Sequence, residues 1–376
     1  MALKDIFCQD NAVSILHRGF ACNRVAHAYI FAGLDGVGKL KAACEWAKLL
    51  LCKNPIGEKV GASGFVDSCG RCDSCRLFEA GSHSDFNHVY KELLEFTRDG
   101  KGRTAPVELP IDVVREFLIE KVFTKPTLSN RKVFVISEAE KLNASSQNAL
   151  LKVLEEPPTY CCIILVCTRL ERLLPTTRSR CQIIRFGPID EGRIIERLQQ
   201  MGVEKGKALY FARLAQGSLG AACQWAQMEL ADADLYQAKR NLVQNLSQHQ
   251  VGDALATAQE LLDRGKAIAS VWAKFDPTTS RSDLARRAQK TIILMVTSAL
   301  RDALMLNVAG SKAIINIDQK DEITRLARRF GPEVAADRIT DCYKSLRWIE
   351  AGVNEKLVFE QLLLNLAGSD IISGSL

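Results

Sequence analysis

A short apolar segment that runs directly into a glycine loop and then into a helical pattern restricts most strongly how this chain can fold. The segment AYIFAG (28–33) has the composition of a buried strand. The loop GLDGVGK (33–39) places Gly33, Gly38 and Lys39 at the G-x-x-x-x-G-K spacing, in which backbone N–H groups surround a phosphate. A strand, a phosphate loop and a helix in this order are typical of an α/β domain with a parallel sheet.

The loop lacks the oxygen ligands that a working nucleotide site needs. Leu40 occupies the position of the Ser or Thr whose hydroxyl binds Mg²⁺. The strand VFVI (133–136) is followed by Ser137 instead of the Asp that completes the metal shell, although Glu138 remains available to polarise a water. We therefore predict a degenerate phosphate loop that does not support hydrolysis and in which binding of ATP or ADP is doubtful. The positions of this loop are Gly33, Gly36, Gly38 and Lys39.

Further strand patterns predict a parallel sheet with helices on both faces. They are FNHVY (86–90), VFVI (133–136), CIILVCT (162–168) and QIIRF (182–186). After residue 188 only helical patterns follow, so we predict three domains: a P-loop-type α/β domain over 1–188, a small helical domain over 189–232 and a larger all-helical domain over 233–376.

Two helices of the first domain can be predicted in more detail. Asn143 is expected to cap a helix that Pro157 and Pro158 end. The helix after the glycine loop is expected to bury one apolar face. That face comprises Leu40, Ala43, Cys44, Ala47, Leu50 and Leu51.

Three cysteines recur at two-residue intervals in a segment rich in Gly, Ser and Asp: Cys69, Cys72 and Cys75. Thiolates with this spacing are typical ligands of tetrahedral zinc. Cys52, at the end of the preceding helix, is the predicted fourth ligand, and His83 is an alternative to it. Because four protein ligands leave no position for water or substrate, we predict a structural Zn²⁺ in an insertion around residues 52–75.

The overall composition excludes several classes of protein. The chain of 376 residues is 47% apolar and 25% charged with a net charge of +6, which argues against disorder and low-complexity repeats. Its uninterrupted apolar runs fall short of the ~18 residues of a membrane helix, and its first residues do not resemble a secretory signal. We expect a cytoplasmic protein whose 13 cysteines are thiols or metal ligands rather than disulfides.

Six segments spread over most of the chain carry a resemblance to a known family. They are RVAHAYIFAG (24–33), the cysteine cluster, NALLKVLEEPP (148–158), RLLPTTRSRCQ (172–182), AQGSLGAA (215–222) and NEKLVFEQLLLNLA (354–367). The chain resembles the delta-prime subunits of bacterial DNA polymerase III clamp loaders, which belong to the AAA+ superfamily. The resemblance implies an AAA+ P-loop domain with a five-stranded parallel sheet, a helical lid and an all-α collar domain that joins an oligomer.

The resemblance also implies roles for individual residues. ATP sites of such loaders lie between subunits, and Arg180 of the S-R-C segment is the implied arginine finger, acting in trans on the γ-phosphate bound by a neighbour. Active relatives carry an Arg after the G-S-L of the lid, whereas Gly220 follows it here. We interpret the chain as a non-hydrolysing subunit, not an enzyme by itself. The implied partners are gamma/tau and delta subunits in a hetero-oligomeric ring, the sliding clamp and a primed DNA template.

Two other functions are alternatives to this interpretation. An active clamp-loader ATPase of the gamma/tau type would need oxygen ligands at positions 40 and 137. A zinc-dependent nucleic-acid-binding module would need basic residues interleaved with aromatic ones, and only 7% of the residues are aromatic. Basic residues do gather within 281–290 and 325–329, which we interpret as solvated faces of collar helices, so that DNA contact through phosphates is secondary.

Overall fold

A computed structural model of the chain describes residues 2–57, 65–98, 107–231, 233–248, 250–277, 279–308 and 314–367. The chain divides into two compact units. The first contains the residues up to Ile189 together with Ser218–Gly220, and the second contains Asp190–Gly217 and the residues from Ala221 onward. The boundary near residue 232 between two helical domains stays a prediction, and residue 232 itself lies outside the described residues.

The first unit combines strands and helices in alternation. Its strands are β1 (Ala28–Ala32), β2 (Ile56–Gly57), β3 (Val66–Asp67), β4 (Phe86–Val89), β5 (Lys132–Ile136), β6 (Cys161–Cys167) and β7 (Gln182–Arg185). Its helices are α1 (Asp10–Ala21), α2 (Lys39–Leu51), α3 (Asp73–Glu79), α4 (Ile111–Val114), α5 (Glu120–Val122), α6 (Ala144–Glu155) and α7 (Pro175–Ser179), with a π-helical turn (Arg115–Ile119) joining α4 to α5. Short 3-10 turns lie at Leu3–Asp5, Lys91–Phe96, Ala139–Lys141 and Leu170–Arg172.

Five of these strands form one sheet in the order β4-β5-β6-β1-β7. All four neighbouring pairs are parallel. The prediction of a five-stranded parallel sheet, made from the strand patterns and the AAA+ resemblance, is confirmed. β2 and β3, which the sequence patterns did not indicate, form a separate antiparallel pair.

Helices cover both faces of the sheet, as alternate residues of β1 demonstrate. Tyr29 and Phe31 belong to a core formed with α1 and α2. Ala28 and Ile30 belong to a second core formed with α4 and α6. The strand therefore has no face in water, which explains its continuous apolar sequence.

The two detailed helix predictions have different outcomes. α6 begins after Asn143, whose side chain accepts a hydrogen bond from the backbone N–H of Ser146 at 2.8 Å, and it ends before the prolines, as predicted. α2 buries Ala43, Ala47 and most of the predicted face, but Leu40 is 39% exposed, so its assignment to that face is wrong. Lys39 and Ala42 on either side of Leu40 are buried, so the helix already meets the core here. Leu40 and the half-buried Cys44 one turn later lie at the edge of the buried face.

The second unit is helical throughout its described residues. Its elements are α8 (Glu191–Gln200), α9 (Lys205–Ala215), α10 (Leu219–Leu230), α11 (Leu235–Gln248), α12 (Ala254–Phe275), α13 (Arg281–Val308), α14 (Lys320–Arg329), α15 (Pro332–Glu350) and α16 (Glu355–Ala367), with 3-10 turns at Val251–Asp253 and Ile317–Gln319. The first two residues of α10 belong to the first unit. The predicted all-helical region after residue 188 is confirmed.

One described helix has the length and composition to cross a membrane. This is α13, and 61% of its most apolar 18-residue window is buried inside the protein. It packs against α12, α14 and α15. Such burial is typical of the core helix of a helical domain.

Candidate functional site

The degenerate phosphate loop follows the carboxyl end of β1, the edge at which ligands of parallel α/β sheets bind. Gly38 is the N-cap of α2 and has a φ of 95°, a backbone conformation that side chains with a Cβ rarely adopt. The sequence thus folds into the predicted strand, loop and helix. The backbone geometry of the loop requires glycine at position 38, and Leu40 carries no oxygen that could bind Mg²⁺.

Lys39 does not extend from the loop into solvent. Its side chain is 5% exposed, and its ammonium group donates a hydrogen bond to the carbonyl oxygen of Leu34 in the same loop. Burial lowers the pKa of Lys39, an effect that the nearby carboxylates of Asp35 and Glu140 oppose. The cation that would contact a phosphate is therefore bonded to the loop itself.

Gly220, in the first turn of α10, packs directly against the phosphate loop. Its backbone N–H donates a 2.7 Å hydrogen bond to the carbonyl oxygen of Gly36. A Cβ at position 220 would lie 2.7 Å from the Cα of Gly36, a separation that such atoms essentially never show. Because the obstacle is backbone and not a flexible side chain, position 220 has no room for a larger side chain while this contact is in place.

The side chains at the ends of β4 and β5 also bond to each other. Ser137 Oγ lies 2.7 Å from His88 Nε2. Burial lowers the pKa of His88, so the ring is neutral at neutral pH. The hydroxyl of Ser137 is thus engaged by a side chain of the neighbouring strand β4.

The two acidic residues after β5 have protein partners as well. Glu138 forms an ion pair with Lys141, one turn further along. Glu140 accepts hydrogen bonds from the hydroxyl and the backbone N–H of Thr168, which follows β6. Sequence reasoning missed the link between Glu140 and Thr168, and no spacing in the chain would have indicated it, because the partners follow different strands.

The predicted metal ligands converge in space. The sulfur atoms of Cys52, Cys69, Cys72 and Cys75 all lie within 4.8 Å of one another. Cys52 Sγ is 3.6 Å from Cys69 Sγ and 4.0 Å from Cys72 Sγ. Sulfurs bound to one tetrahedral zinc at about 2.3 Å are separated by about 3.8 Å, so the four thiols fit such an ion.

His83 does not join this cluster. Its Nε2 lies 2.8 Å from Ser74 Oγ, and that hydroxyl donates to the carbonyl oxygen of Leu51 at the end of α2. The structure therefore favours Cys52 over His83 as the fourth ligand. His83 instead supports the loop that carries the thiols.

Backbone N–H groups favour the thiolate at two of the four cysteines: the pKa of Cys69 and Cys72 is lowered, whereas burial raises the pKa of Cys52 and Cys75. The N–H groups of Cys69, Cys72 and Cys75 each donate to a neighbouring cysteine sulfur, at 3.3, 3.4 and 3.5 Å. Burial alone raises the pKa of the Cys72 thiol, but the N–H groups of Cys75 and Lys53 and the adjacent thiols lower it to about 6. Deprotonated sulfur is the form that binds a metal, so a metal ion can be held by these four residues.

Arg180 lies at the end of the sheet opposite the phosphate loop. It is the C-cap of α7 and precedes the amino end of β7, which pairs in parallel with β1 from Tyr29 to Ala32. Arg180 Nη2 lies 2.8 Å from Glu155 Oε1, and Nη1 donates to the carbonyl oxygen of Thr176 at 3.0 Å. The phosphate loop, in contrast, follows the carboxyl end of β1, so the two features do not meet within this chain.

The basic residues noted in the helical region are largely paired. Four of them form ion pairs: Arg286 with Asp283, Arg287 with Asp276, Lys290 with Glu350, and Arg325 with Glu322. Pairs of this kind are typical of solvated helix faces, and they contribute little to any concentrated positive field.

Two models of known protein families match this chain, one in its amino-terminal half and one in its carboxyl-terminal part. The family model described as "DNA polymerase III, delta subunit" matches residues 8–190. The one described as "DNA polymerase III, delta subunit, C terminal" matches residues 266–368.

Individual relatives extend the match over nearly the whole chain. The DNA polymerase III subunit delta' of Bacillus subtilis is 25% identical over 364 residues, which are 95% of this chain and 96% of the relative. The delta' subunit of Escherichia coli is 28% identical over 92% of this chain and 90% of its own length. The tau/gamma subunit of Haemophilus influenzae is 32% identical over 64% of this chain, which spans only 33% of that subunit. A gamma-subunit-related protein of Thermotoga maritima aligns over 94% of this chain and 98% of its own, with 18% identity and a TM-score of 0.39.

Proposed function

The chain belongs to the clamp-loader subunit family of DNA polymerase III, and on this premise we propose that it is a non-hydrolysing subunit that completes the ATP site of a neighbour. Arg180 is the residue we assign to that role. Its planar and permanently charged guanidinium suits an anionic transition state. The protein on which it acts would be a gamma/tau-type subunit bound beside it.

The observation that carries this proposal is the position of Arg180 relative to the chain's own phosphate loop. The two lie beyond opposite ends of a parallel strand pair, from Tyr29 and Gln182 to Ala32 and Arg185. Three residue steps of strand span about 10 Å, and Arg180 and the loop lie further out at either end. A guanidinium anchored to Glu155 and Thr176 at one end cannot serve a phosphate at the other, so its target belongs to another subunit.

The state of the phosphate loop supports the absence of hydrolysis. Leu40 and Ser137 offer no pair of metal ligands, Lys39 is bonded to Leu34, and Gly220 occupies the space over Gly36. Because Mg²⁺ must bridge and neutralise the phosphates as charge develops, these losses remove the main source of transition-state stabilisation. Any ATP or ADP would have to displace contacts that the chain already makes.

We infer that the cysteine cluster holds one structural Zn²⁺. Cys52, Cys69, Cys72 and Cys75 would supply four thiolates and would leave no open coordination position, so the ion stabilises the insertion and takes no part in chemistry. Residues 58–64 of the predicted insertion lie outside the described residues.

The names of the relatives suggest the setting of this function. We propose a hetero-oligomeric ring of this chain with gamma/tau-type and delta-type subunits in the cytoplasm, which places the sliding clamp on primed DNA. The helical residues from 233 onward would form the collar of that ring. Contact with DNA would go to phosphates and would weaken as salt is raised.

The direct test is ATP turnover by the complex assembled with the Arg180→Ala variant. We expect DNA-stimulated turnover at the completed site to fall by a factor on the order of 10³, and that of the whole complex by less, because the other sites retain their own arginines. Arg193→Ala is the matched control, since Arg193 also forms an exposed ion pair, with Glu196 at 3.4 Å. Unchanged turnover in a fully assembled Arg180→Ala complex would remove Arg180 from this role.

A second candidate is an active ATPase of the tau/gamma type, which the 32% identity to such a subunit and the retention of Glu138 favour. It makes the opposite prediction for the isolated chain. Magnesium-dependent ATP hydrolysis by the purified protein, lost in Lys39→Met, would establish this function in place of the first. We expect no hydrolysis above the background without protein.

A further inference from the structure

Glu155 holds the side chain of Arg180 at a defined place on the surface. It is the last residue of α6, and its Oε1 lies 2.8 Å from Nη2 of Arg180. The side chain of Glu155 is 49% exposed and that of Arg180 is 35% exposed. The ion pair therefore gives this half-exposed carboxylate a specific partner.

The carboxyl ends of α6 and α7 favour a positive charge at the position of Arg180. The carboxyl end of a helix carries a partial negative charge from its unpaired carbonyl groups. Arg180 lies where α6 and α7 both end, and its Nη1 donates to the carbonyl oxygen of Thr176, four residues earlier in the chain, at 3.0 Å. Glu155 is unfavourable at the negative end of its own helix, and the guanidinium beside it removes that repulsion.

These contacts orient the guanidinium and leave some of its N–H donors open. An arginine has five N–H donors. Among the described residues, Arg180 has two partners, Glu155 and Thr176, and each engages one terminal nitrogen. Nε–H and the second N–H of each terminal nitrogen therefore remain open to an anion. Since the pair is partly exposed, water screens it, and a more highly charged phosphate can compete for the open donors.

We propose that Glu155 is the positioning residue for Arg180 and preorganises it for the γ-phosphate of the neighbouring subunit. The inference rests on the function proposed above and adds a second residue to the same site. A free arginine on a surface samples many rotamers, and only a few of them point its open donors at a given phosphate. Fixing one rotamer in advance raises the fraction of encounters that are productive.

The test is a set of variants in the assembled loader, with DNA-stimulated ATP turnover and the KM for ATP as readouts. We expect Glu155→Ala to lower kcat at the completed site by about tenfold, less than Arg180→Ala does, with little change in KM. Glu155→Gln keeps an acceptor oxygen near Nη2 and should restore most of the lost turnover. The double variant Glu155→Ala/Arg180→Ala should be no slower than Arg180→Ala alone, because a positioning residue has no effect without the group it positions.

Glu196→Ala serves as the matched control, since it breaks an exposed ion pair in the second unit. It should leave kcat unchanged. The thermal midpoint of the isolated Glu155→Ala chain should also match that of the unchanged chain, which separates positioning from a loss of fold.

The outcomes distinguish this inference from the proposed function. If Arg180→Ala abolishes turnover at the site while Glu155→Ala behaves as the unchanged protein, the positioning role is wrong and the proposed function stands. If Arg180→Ala has no effect, the proposed function fails and the inference falls with it. Faster turnover in Glu155→Ala would identify Glu155 as a restraint, and an additional loss in the double variant would indicate a separate role. Either result overturns positioning.

Discussion

The cysteine cluster and the phosphate loop lie in the same unit, and both have the sequence spacing of a ligand site, but their donors behave in opposite ways. In the cluster, four sulfurs point at a common centre and lie within 4.8 Å of one another. In the loop, Lys39 donates to the carbonyl oxygen of Leu34, and the carbonyl oxygen of Gly36 accepts a hydrogen bond from the N–H of Gly220. The four sulfurs thus have the spacing that fits one metal ion, whereas the loop cation is already bonded to a partner within the chain.

This difference accounts for what each motif retains. A metal site needs every ligand, because the loss of one thiolate opens the coordination shell. Under the proposed function, the phosphate loop needs no hydrolysable nucleotide and keeps what the fold requires, such as Gly38 with its φ of 95° at the start of α2. Leu40 and Ser137 are positions at which the fold requires nothing specific, and there the metal-binding oxygens are absent.

Removal of the metal should have the largest effect. We expect the purified chain to contain about one zinc ion, and Cys72→Ser to lose it. The insertion should then open locally at a cost of several kcal/mol, below the ~10–16 kcal/mol of isolated zinc peptides, because the two cores of the sheet do not depend on the ion. Elemental analysis and amide exchange over 65–79 measure both effects.

Cys22→Ser is the control for this experiment, because Cys22 is an exposed thiol outside the cluster. It should retain zinc and native exchange. Equal exchange in the zinc-loaded and the chelator-treated chain would contradict a structural ion and would remove the contrast with the phosphate loop.

Crowding the closed loop should have an intermediate effect. In Gly220→Ala the new methyl group meets the Gly36 backbone at 2.7 Å, so the loop or α10 must shift. We expect a destabilisation of roughly 1–3 kcal/mol, typical of overpacking, measured as faster amide exchange in residues 33–40. Gly187→Ala is the control, since a Cβ there meets nothing within 4 Å. If both variants exchange alike, Gly220 does not close the loop.

Replacement of one buried histidine should produce the smallest effect, spread over a range of pH. Burial lowers the pKa of His17, His83 and His88 below the ordinary value of 6.5. The unfolded chain therefore binds protons first as the pH falls, and stability is lost below pH 6.5 at about 1.4 kcal/mol per pH unit for each such histidine. His88→Gln should reduce the slope of the unfolding free energy against pH by the contribution of one histidine, about 1.4 kcal/mol per pH unit. An unchanged slope would contradict a neutral, buried His88 beside Ser137.

The sequence predicts best where a pattern is local. The strand of residues 28–33 is apolar at every position because both of its faces are buried, and Asn143 caps α6 through a hydrogen bond to the N–H three residues on. The cysteine ligands were predictable for the same reason, since three of them lie within seven residues. Leu40 was assigned wrongly because helical periodicity does not define where the edge of a buried face lies, and Leu40 falls on the exposed side of that edge.

The remaining features depend on partners that are distant in sequence. Glu155 meets Arg180, and Gly220 meets Gly36, because the fold brings separate segments of the chain together. No periodicity or spacing encodes these contacts. The AAA+ resemblance indicated Arg180, but the residue that holds it and the closure of the phosphate loop required coordinates.

The placement of Arg180 beyond the amino end of β7 and of the closed loop beyond the carboxyl end of β1 makes the subunit directional. Under the proposed function, the flank with Arg180 completes the active site of one neighbour, whereas the flank with the phosphate loop presents no hydrolytic site for the arginine of another neighbour. In a head-to-tail assembly, such a chain would therefore terminate the series of catalytic interfaces instead of continuing it. A ring that includes one copy would acquire a fixed first position and a seam at which its symmetry is broken.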